Sequence, residues 1–477
     1  MQGADFEWNQ QTRQAYQDIR KLKVASGKAI LAQESPQNGI KVFLDDYADM
    51  VYLLISEDPA YFKKVQNLED ERLELVERLD KNSPYQRFVL AEIRLHWAFV
   101  KLKFGKEISG CWDIIKAYKL LDENTRKFPS FLPTQKSLGL LHVLIGATPE
   151  NYQWVPNLLG LRGNIQQGLS EIQSVIAEDT LFRQETQLID FLLHSYLIGM
   201  DESKLSRLEE VVQKAPDDLL FHLFGASMLI KNNQSERALA IIERRLVGTG
   251  YLTVPSLEYL RGEALLEKGL YLQAIEAFKR YLRLQKGHNF IKDSHYKLFL
   301  AYWLQGSEAE GLVYLHKIKL VGTTITEQDK AAQQFVEHYE RGYRPVVPLI
   351  KARLAFDGGF YEQALHTLRS LNETELVQLK DKAEFNYRLG RIYQKTNAFA
   401  QAITHYERAI VLSDNTNWSF GATSSLQLGY IYQRTKQLTK ADYYFKKAIS
   451  YRNHEYKNSI DNKAKAALNS MKLDTHR

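Results

Sequence analysis

One cysteine, Cys111, occurs in 477 residues. No intrachain disulfide is possible, and no Cys-x-x-Cys metal or redox motif exists. Cys111 falls in an apolar helical run beside Trp112, so a buried, unreactive thiol is expected. No stretch of 18 or more apolar residues is present, which excludes a membrane-spanning helix. Like charges never run five deep, and the net charge of +6, from 63 basic and 57 acidic side chains, is thinly spread. Nucleic-acid binding, which needs clustered basic residues, is therefore not expected. Period-2 alternation is nearly missing, and Asn38-Gly39 joins two helical patterns rather than two strands. No proline follows Pro348, so the rest of the chain is free to run as helix and tight turn.

What is present is helical periodicity from end to end. The pattern predicts helices near 9–33, 38–56, 59–79, 84–104, 107–127, 133–146, 164–177, 180–199 and 201–214. Helix should exceed about two-thirds of the chain, well above the ordinary third. Prolines fall at helix starts. Asp58-Pro59 is one, and Ser83-Pro84-Tyr85-Gln86 has the order of a capping box. Met1-Gln2-Gly3-Ala4-Asp5 has neither the basic nor the apolar region of a signal peptide. Gln2 resembles the first mature residue of many exported proteins of gram-negative bacteria. On that ground a periplasmic location is favoured over the cytoplasm.

Small and large residues recur in a fixed order. Leu389-Gly390-x-x-Tyr393 is followed by Ala402, Tyr406 and Ala409. The order returns at Leu428, Gly429, Tyr432, Ala441, Phe445 and Ala448, and at Gly262, Leu265, Gly269, Ala274, Phe278 and Tyr281. In each, 12 positions separate the first small residue from the second. A small residue on one helix and its counterpart on the next let the two approach closely, and the aromatic fills the wider gap one turn on. Weaker copies extend the frame to 226, 262, 299, 352, 390 and 429. The widest spacing, between 299 and 352, has room for an extra helix near 326–341.

On these residues the segment 217–452 resembles the tetratricopeptide repeat (TPR) superfamily. The resemblance implies an all-α fold, a right-handed α-α superhelix of stacked antiparallel helix pairs, with a concave groove that binds peptides or protein segments. Residues 217–477 are read as the repeat array. Residues 1–216 are read as a divergent helical-repeat half, with an insertion near 147–163 that carries Tyr152 and Trp154.

Enzyme constellations are missing. There is no His-Glu-x-x-His, no Walker loop and no Gly-x-Ser-x-Gly. His288 and His295 are seven apart, yet lone histidines on helices are usually solvated or packed. Asp45-Asp46 and Asp217-Asp218 are placed near helix starts, where carboxylates favour the macrodipole. The reading is a non-catalytic scaffold or adaptor with a protein or peptide partner and no cofactor or metal. The alternative is a carbohydrate or lipid binder using the aromatic insertion.

The positions that line the groove in the family give Tyr259, Tyr296, Trp303, Arg353, Phe356, Tyr387, Arg391, Tyr430 and Arg434 as binding candidates. Aromatic and Arg residues together suit a segment with apolar and acidic side chains. The frame needs none of these side chains for its core, so reversing the charge of Arg353 and Arg391 should leave stability nearly unchanged. The carboxylate clamp of chaperone-binding relatives needs Lys and Asn at two frame positions, and this sequence has neither there.

The repeat frame is directly testable. Ala402 marks a close helix crossing, so Ala402→Leu should overpack it and lower unfolding free energy by about 1–3 kcal/mol. An unshifted denaturation midpoint would misplace the frame.

Overall fold

A computed structural model describes residues 5–148, 159–245, 248–454 and 456–475. Helix makes up 75% of it, with no strand among the described residues. No described helix is long and apolar enough to cross a membrane. Helices begin where polar caps precede apolar periodicity. The side chains of Asn9, Asn38, Asp58, Asn164, Asp201 and Asp218 each accept a first-turn backbone N–H. Ser83 also caps, accepting from the Tyr85 N–H at 3.3 Å. Gln86 does not close the expected box. It is buried and reaches the Val76 carbonyl instead.

Two compact units divide the chain, Met1–Ala264 with Leu272–Glu337, and Leu265–Tyr271 with His338–Arg477. The sequence division at 216/217 falls inside the first unit.

In the first unit, two of the predicted helices break. Leu22, at φ 68°, separates Gln10–Arg20 from Val24–Leu31, and the 59–79 pattern becomes Pro59–Val65 and Leu68–Glu77. The 180–199 pattern is Arg183–Leu193 continued by one π-turn, His194–Ile198, and stopped by Gly199 at φ 126°. The N-terminal helices lie along the loops that precede the repeat hairpins. Lys21 Nζ meets Asp217 at 2.6 Å, and buried Arg20 pairs with buried Asp218. The Leu252 N–H donates to the Leu22 carbonyl at 2.8 Å. Gln285 donates to Glu57 at 3.1 Å, and Asn289 to the Lys103 carbonyl at 3.3 Å.

Two expectations fail here for the same reason: the helix faces point otherwise than assumed. Cys111 and Trp112 are exposed, because Gly110 and Asp113 hold the inward positions of their helix. Asp45 and Asp46 lie in the second turn of Gly39–Ser56. Asp46 is buried, accepting from Arg72 at 2.8 Å and Trp97 at 2.9 Å, with the His96 ring nitrogen at 2.8 Å.

Hairpins of the expected kind follow one another: Leu219–Lys231 with Ser235–Arg244, Pro255–Lys268 with Tyr271–Leu284, and Ile291–Leu304 with Glu308–Lys317. The extra helix is Glu327–Glu340. The second unit repeats the hairpin in Val347–Asp357/Tyr361–Arg369, Leu379–Lys395/Phe399–Leu412 and Ser419–Arg434/Leu438–Ser450, closed by Lys457–Thr475. A Cβ on Gly390 would lie 2.6 Å from the Tyr406 ring, and one on Gly429 2.5 Å from Phe445. Ala402 and Ala441 are fully buried opposite them.

Every hairpin turn also contains one left-handed residue: Asn233, Gly269, Gly306, Gly359, Asn397 and Lys436, at φ 58°, 83°, 100°, 86°, 60° and 59°. Each stands seven positions after its frame residue at 226, 262, 299, 352, 390 or 429. The turn thus fixes the weak copies to the same register as the strong ones. Glycine or asparagine fills five of the six, as the left-handed region requires. Lys436 fills it at a steric cost. Lys436→Gly should therefore raise unfolding free energy by about 0.5–1 kcal/mol, and a lowered denaturant midpoint would contradict this turn geometry.

Candidate functional site

In the second unit, the first helices of successive hairpins bring Arg353, Asp357, Glu384, Tyr387, Arg388 and Arg391 into one electrostatic cluster. The i,i+4 spacing on each helix puts these side chains on one face. Arg391 is its centre. Its guanidinium lies 4.9 Å from the Phe356 ring centroid and 5.8 Å from that of Tyr387, and it donates to the Tyr387 hydroxyl at 2.8 Å. Partial burial works to lower its pKa, but Tyr387, Tyr406 and Asp357 outweigh that and raise it. Arg391 therefore stays charged.

Glu384 is buried and accepts from Arg388 Nε at 2.7 Å. Burial pushes its carboxyl up, and Arg388 and Arg353 pull it below the usual range. Asp357 reaches solvent, yet protein surrounds it on its flanks. That surrounding lifts its carboxyl above the usual range although Arg388, Arg353 and Arg391 all pull it down. Lys395 is one turn beyond Arg391, and desolvation and the like charge of Arg391 lower its pKa. Four cations thus face two carboxylates.

Tyr387 carries the face onward, with its ring 5.5 Å from Phe420 of the next first helix. On that helix Tyr430 is half-buried, edge-on to Phe445 at 5.3 Å. Arg434 is exposed, 5.2 Å over Phe399. The structure therefore gathers Arg353, Tyr387 and Arg391 with Asp357, and sets Tyr430 and Arg434 one hairpin further along. Asp357, Glu384 and Arg388 were missed in the sequence. Their signal was the i,i+4 pairing of Arg353 with Asp357 and of Glu384 with Arg388.

Two candidates, Phe356 and Tyr259, need correction. Phe356 is 6% exposed and belongs to the core with Leu349, Ala352 and Leu389. Tyr259 is likewise buried, donating to Asp293 at 2.6 Å and accepting from Lys297 Nζ at 2.7 Å. A ring packed edge-on or tilted against three aromatics, with its hydroxyl held in an ion-pair network, has no surface to offer. Tyr296 packs on Phe335 at 4.6 Å, so the extra helix covers it, and Trp303 lies flat on Phe299 at 5.9 Å. Both are half-buried, in the first unit. Arg391 is also structural in part, so its charge reversal is not neutral for folding.

No group of His, Cys, Asp and Glu fit for a metal occurs among the described residues. His295 is buried against Tyr314, with burial and Lys317 lowering its pKa to about 4, and His288 precedes the helix that starts at Ile291. Tyr152 and Trp154 lie outside the described residues.

Sequence profiles of the tetratricopeptide repeat match residues 351–417 and 422–455. These segments are tetratricopeptide repeats. No curated protein is detectably similar in sequence to the chain. Among solved structures, the chain is similar to the TPR domain of P58(IPK), with 15% identity over 87% of this chain and 97% of that one and a TM-score of 0.23. It is similar to the APC/C hetero-tetramer Cut9–Hcn1, with 13% identity, 96% and 83% coverage and a TM-score of 0.32. The human IFIT1 dimer with PPP-AAAA gives 13% identity, 98% and 96% coverage and a TM-score of 0.31. Chains with TM-scores this low do not superpose globally, and nothing about shape or ligand rests on them.

The two arginines of adjacent TPR hairpins should respond differently to reversal. Arg391→Glu loses both ring contacts and sets a carboxylate near Asp357, at a cost of about 1–3 kcal/mol. Arg434→Glu, at an exposed site, should stay within about 0.5 kcal/mol. Thermal and denaturant melts of the two variants, run side by side, would expose equal effects as a failure of this geometry.

Proposed function

We propose that this chain is a non-catalytic scaffold, and that its C-terminal repeats bind an acidic, aromatic-bearing protein segment. Tetratricopeptide repeats generally mediate protein–protein contacts, and residues 351–455 contain them. The observation that carries the finer reading is the excess of cations over Asp357 and Glu384 on the face of Arg353, Arg388, Arg391 and Lys395. Arg391 is held rigid there between two rings. A preorganised guanidinium loses little freedom on meeting a carboxylate. Half-buried Tyr387 and Tyr430 offer flat apolar surface beside it. No observation favours the carbohydrate or lipid alternative at Tyr152 and Trp154.

The test uses fluorescein-labelled peptides of alternating Glu and Phe or Tyr, against matched peptides with Lys in place of Glu. Anisotropy titration of the full chain should show the acidic peptides binding about tenfold tighter, with the difference shrinking as salt rises. Lys395→Glu combined with Arg434→Glu should weaken the preference while the melt holds, since both side chains are exposed. Equal binding of both peptide series would overturn this reading.

A further inference from the structure

Arg391 is a cation that makes no ion pair among the described residues. Its one hydrogen bond there runs from Nη1 to the Tyr387 hydroxyl at 2.8 Å. Nε and Nη2 make none, and neither is sealed from solvent. Phe356 and Tyr387 hold the guanidinium from two sides, and half-buried Tyr361 packs on the same Phe356 ring at 5.3 Å. The rings fix the guanidinium, and its remaining donors are left to an outside acceptor. Lys395 stands four positions on, roughly 6 Å away at Cβ on the same helix face. It is exposed, and among the described residues Arg391 is the charge that acts on it.

The nearby carboxylates do not answer these two charges. Glu384 is engaged by Arg388 at 2.7 Å. Asp357 acts on Arg391, but it is shared with Arg353 and Arg388. The three first helices of this unit, 347–357, 379–395 and 419–434, carry eight basic and three acidic residues. The third acid, Asp381, is buried ten positions before Arg391. On the second helices, Glu407 accepts from Tyr444 at 2.9 Å. Glu362 follows Tyr361 directly, yet the charges that act on Tyr361 are Arg391 and Asp357.

We propose that the acidic group recognised by this face is a phosphate monoester on a protein segment, received by Arg391 and Lys395. This rests on the scaffold reading above and specifies its ligand. A carboxylate answers one positive charge. A phosphate monoester carries close to two negative charges at neutral pH and has three acceptor oxygens. Two suit the open donors of a guanidinium, and the third suits an ammonium one turn away. With both carboxylates ionised, Arg353, Arg388, Arg391 and Lys395 exceed Asp357 and Glu384 by two charges. A dianion cancels that excess and a single carboxylate does not.

Three fluorescein-labelled peptides of one sequence, with flanking Phe and Tyr, test this by anisotropy. They carry phosphoserine, glutamate or serine at one position. The full chain should bind the phosphopeptide about tenfold tighter than the glutamate peptide. Lowering the pH from about 7.5 to about 5.5 should remove most of that ratio. The phosphate takes up its second proton near 6, whereas glutamate stays ionised. Titration of Asp357 acts on both peptides, so the ratio reads the phosphate. Lys395→Gln should cut the ratio to about threefold or less with an unchanged melt, since the side chain is exposed. Equal binding of the phosphoserine and glutamate peptides, both above serine, would overturn the phosphate and leave the acidic-segment reading standing. No binding of either would overturn both. A ratio untouched by Lys395→Gln would overturn the receptor residues. Competition by inorganic phosphate as strong as that by unlabelled phosphopeptide would overturn a protein segment as its carrier.

Discussion

Close approach of two helices at a glycine is the constraint on which the repeat hairpins depend. Gly390 against Tyr406, Gly429 against Phe445 and Gly262 against Phe278 leave no room for a single added carbon. A core at crystal-like density cannot absorb that carbon by moving a buried ring. The aromatic is therefore fixed in place, and it in turn positions the next first helix. The left-handed residue seven positions later reverses the chain with the same spacing each time. Side-chain volume and backbone handedness are two independent requirements, and both fall on the same frame.

The first unit adds a different means of holding helices together. Lys136 is buried with Glu92 at 2.7 Å and Glu185 at 3.3 Å, and Tyr16 donates to Glu185 at 2.6 Å. Lys297 joins Asp293 and Glu263. Desolvation opposes each of these charges, and several partners together outweigh it. Lys136 and Lys297 keep raised pKa values for that reason. Deleting one partner would strand a buried charge, which typically costs about 3–5 kcal/mol. Such networks join segments far apart in sequence, as Arg20 with Asp218 shows. They tie the divergent N-terminal helices to the loops of the hairpins.

The faces of the first helices divide along similar lines. Where the first helices of hairpins are covered, as at Tyr259 and Tyr296, aromatics and ions serve the fold. In the second unit the equivalent face keeps its cations in reach of solvent. Arg391 shows that one side chain can both pack on Phe356 and present a charge, since the guanidinium face meets the ring while its edge keeps hydrogen-bond donors. Its loss therefore touches the stability of the fold and the charge of that face together.

The sequence by itself determined the all-helical class, the hairpin register and the extra helix at Glu327–Glu340. These follow from local periodicity, from small residues at crossings and from turn residues, all of which act within some forty positions. It also marked Arg353, Tyr387 and Arg391 as sharing a face, because frame positions repeat with the hairpin. Only the tertiary structure decided which faces remain open. Periodicity predicts that a residue faces a groove, but it is blind to a distant segment such as Phe335 filling that groove. It placed Cys111 inside because its neighbours are apolar, whereas Gly110 and Asp113 take the inward positions. It read Asp46 as a helix-dipole residue, although Arg72, His96 and Trp97 converge on it from three other segments. Burial and ion pairing depend on contacts far apart along the chain, and no local pattern encodes which ones form.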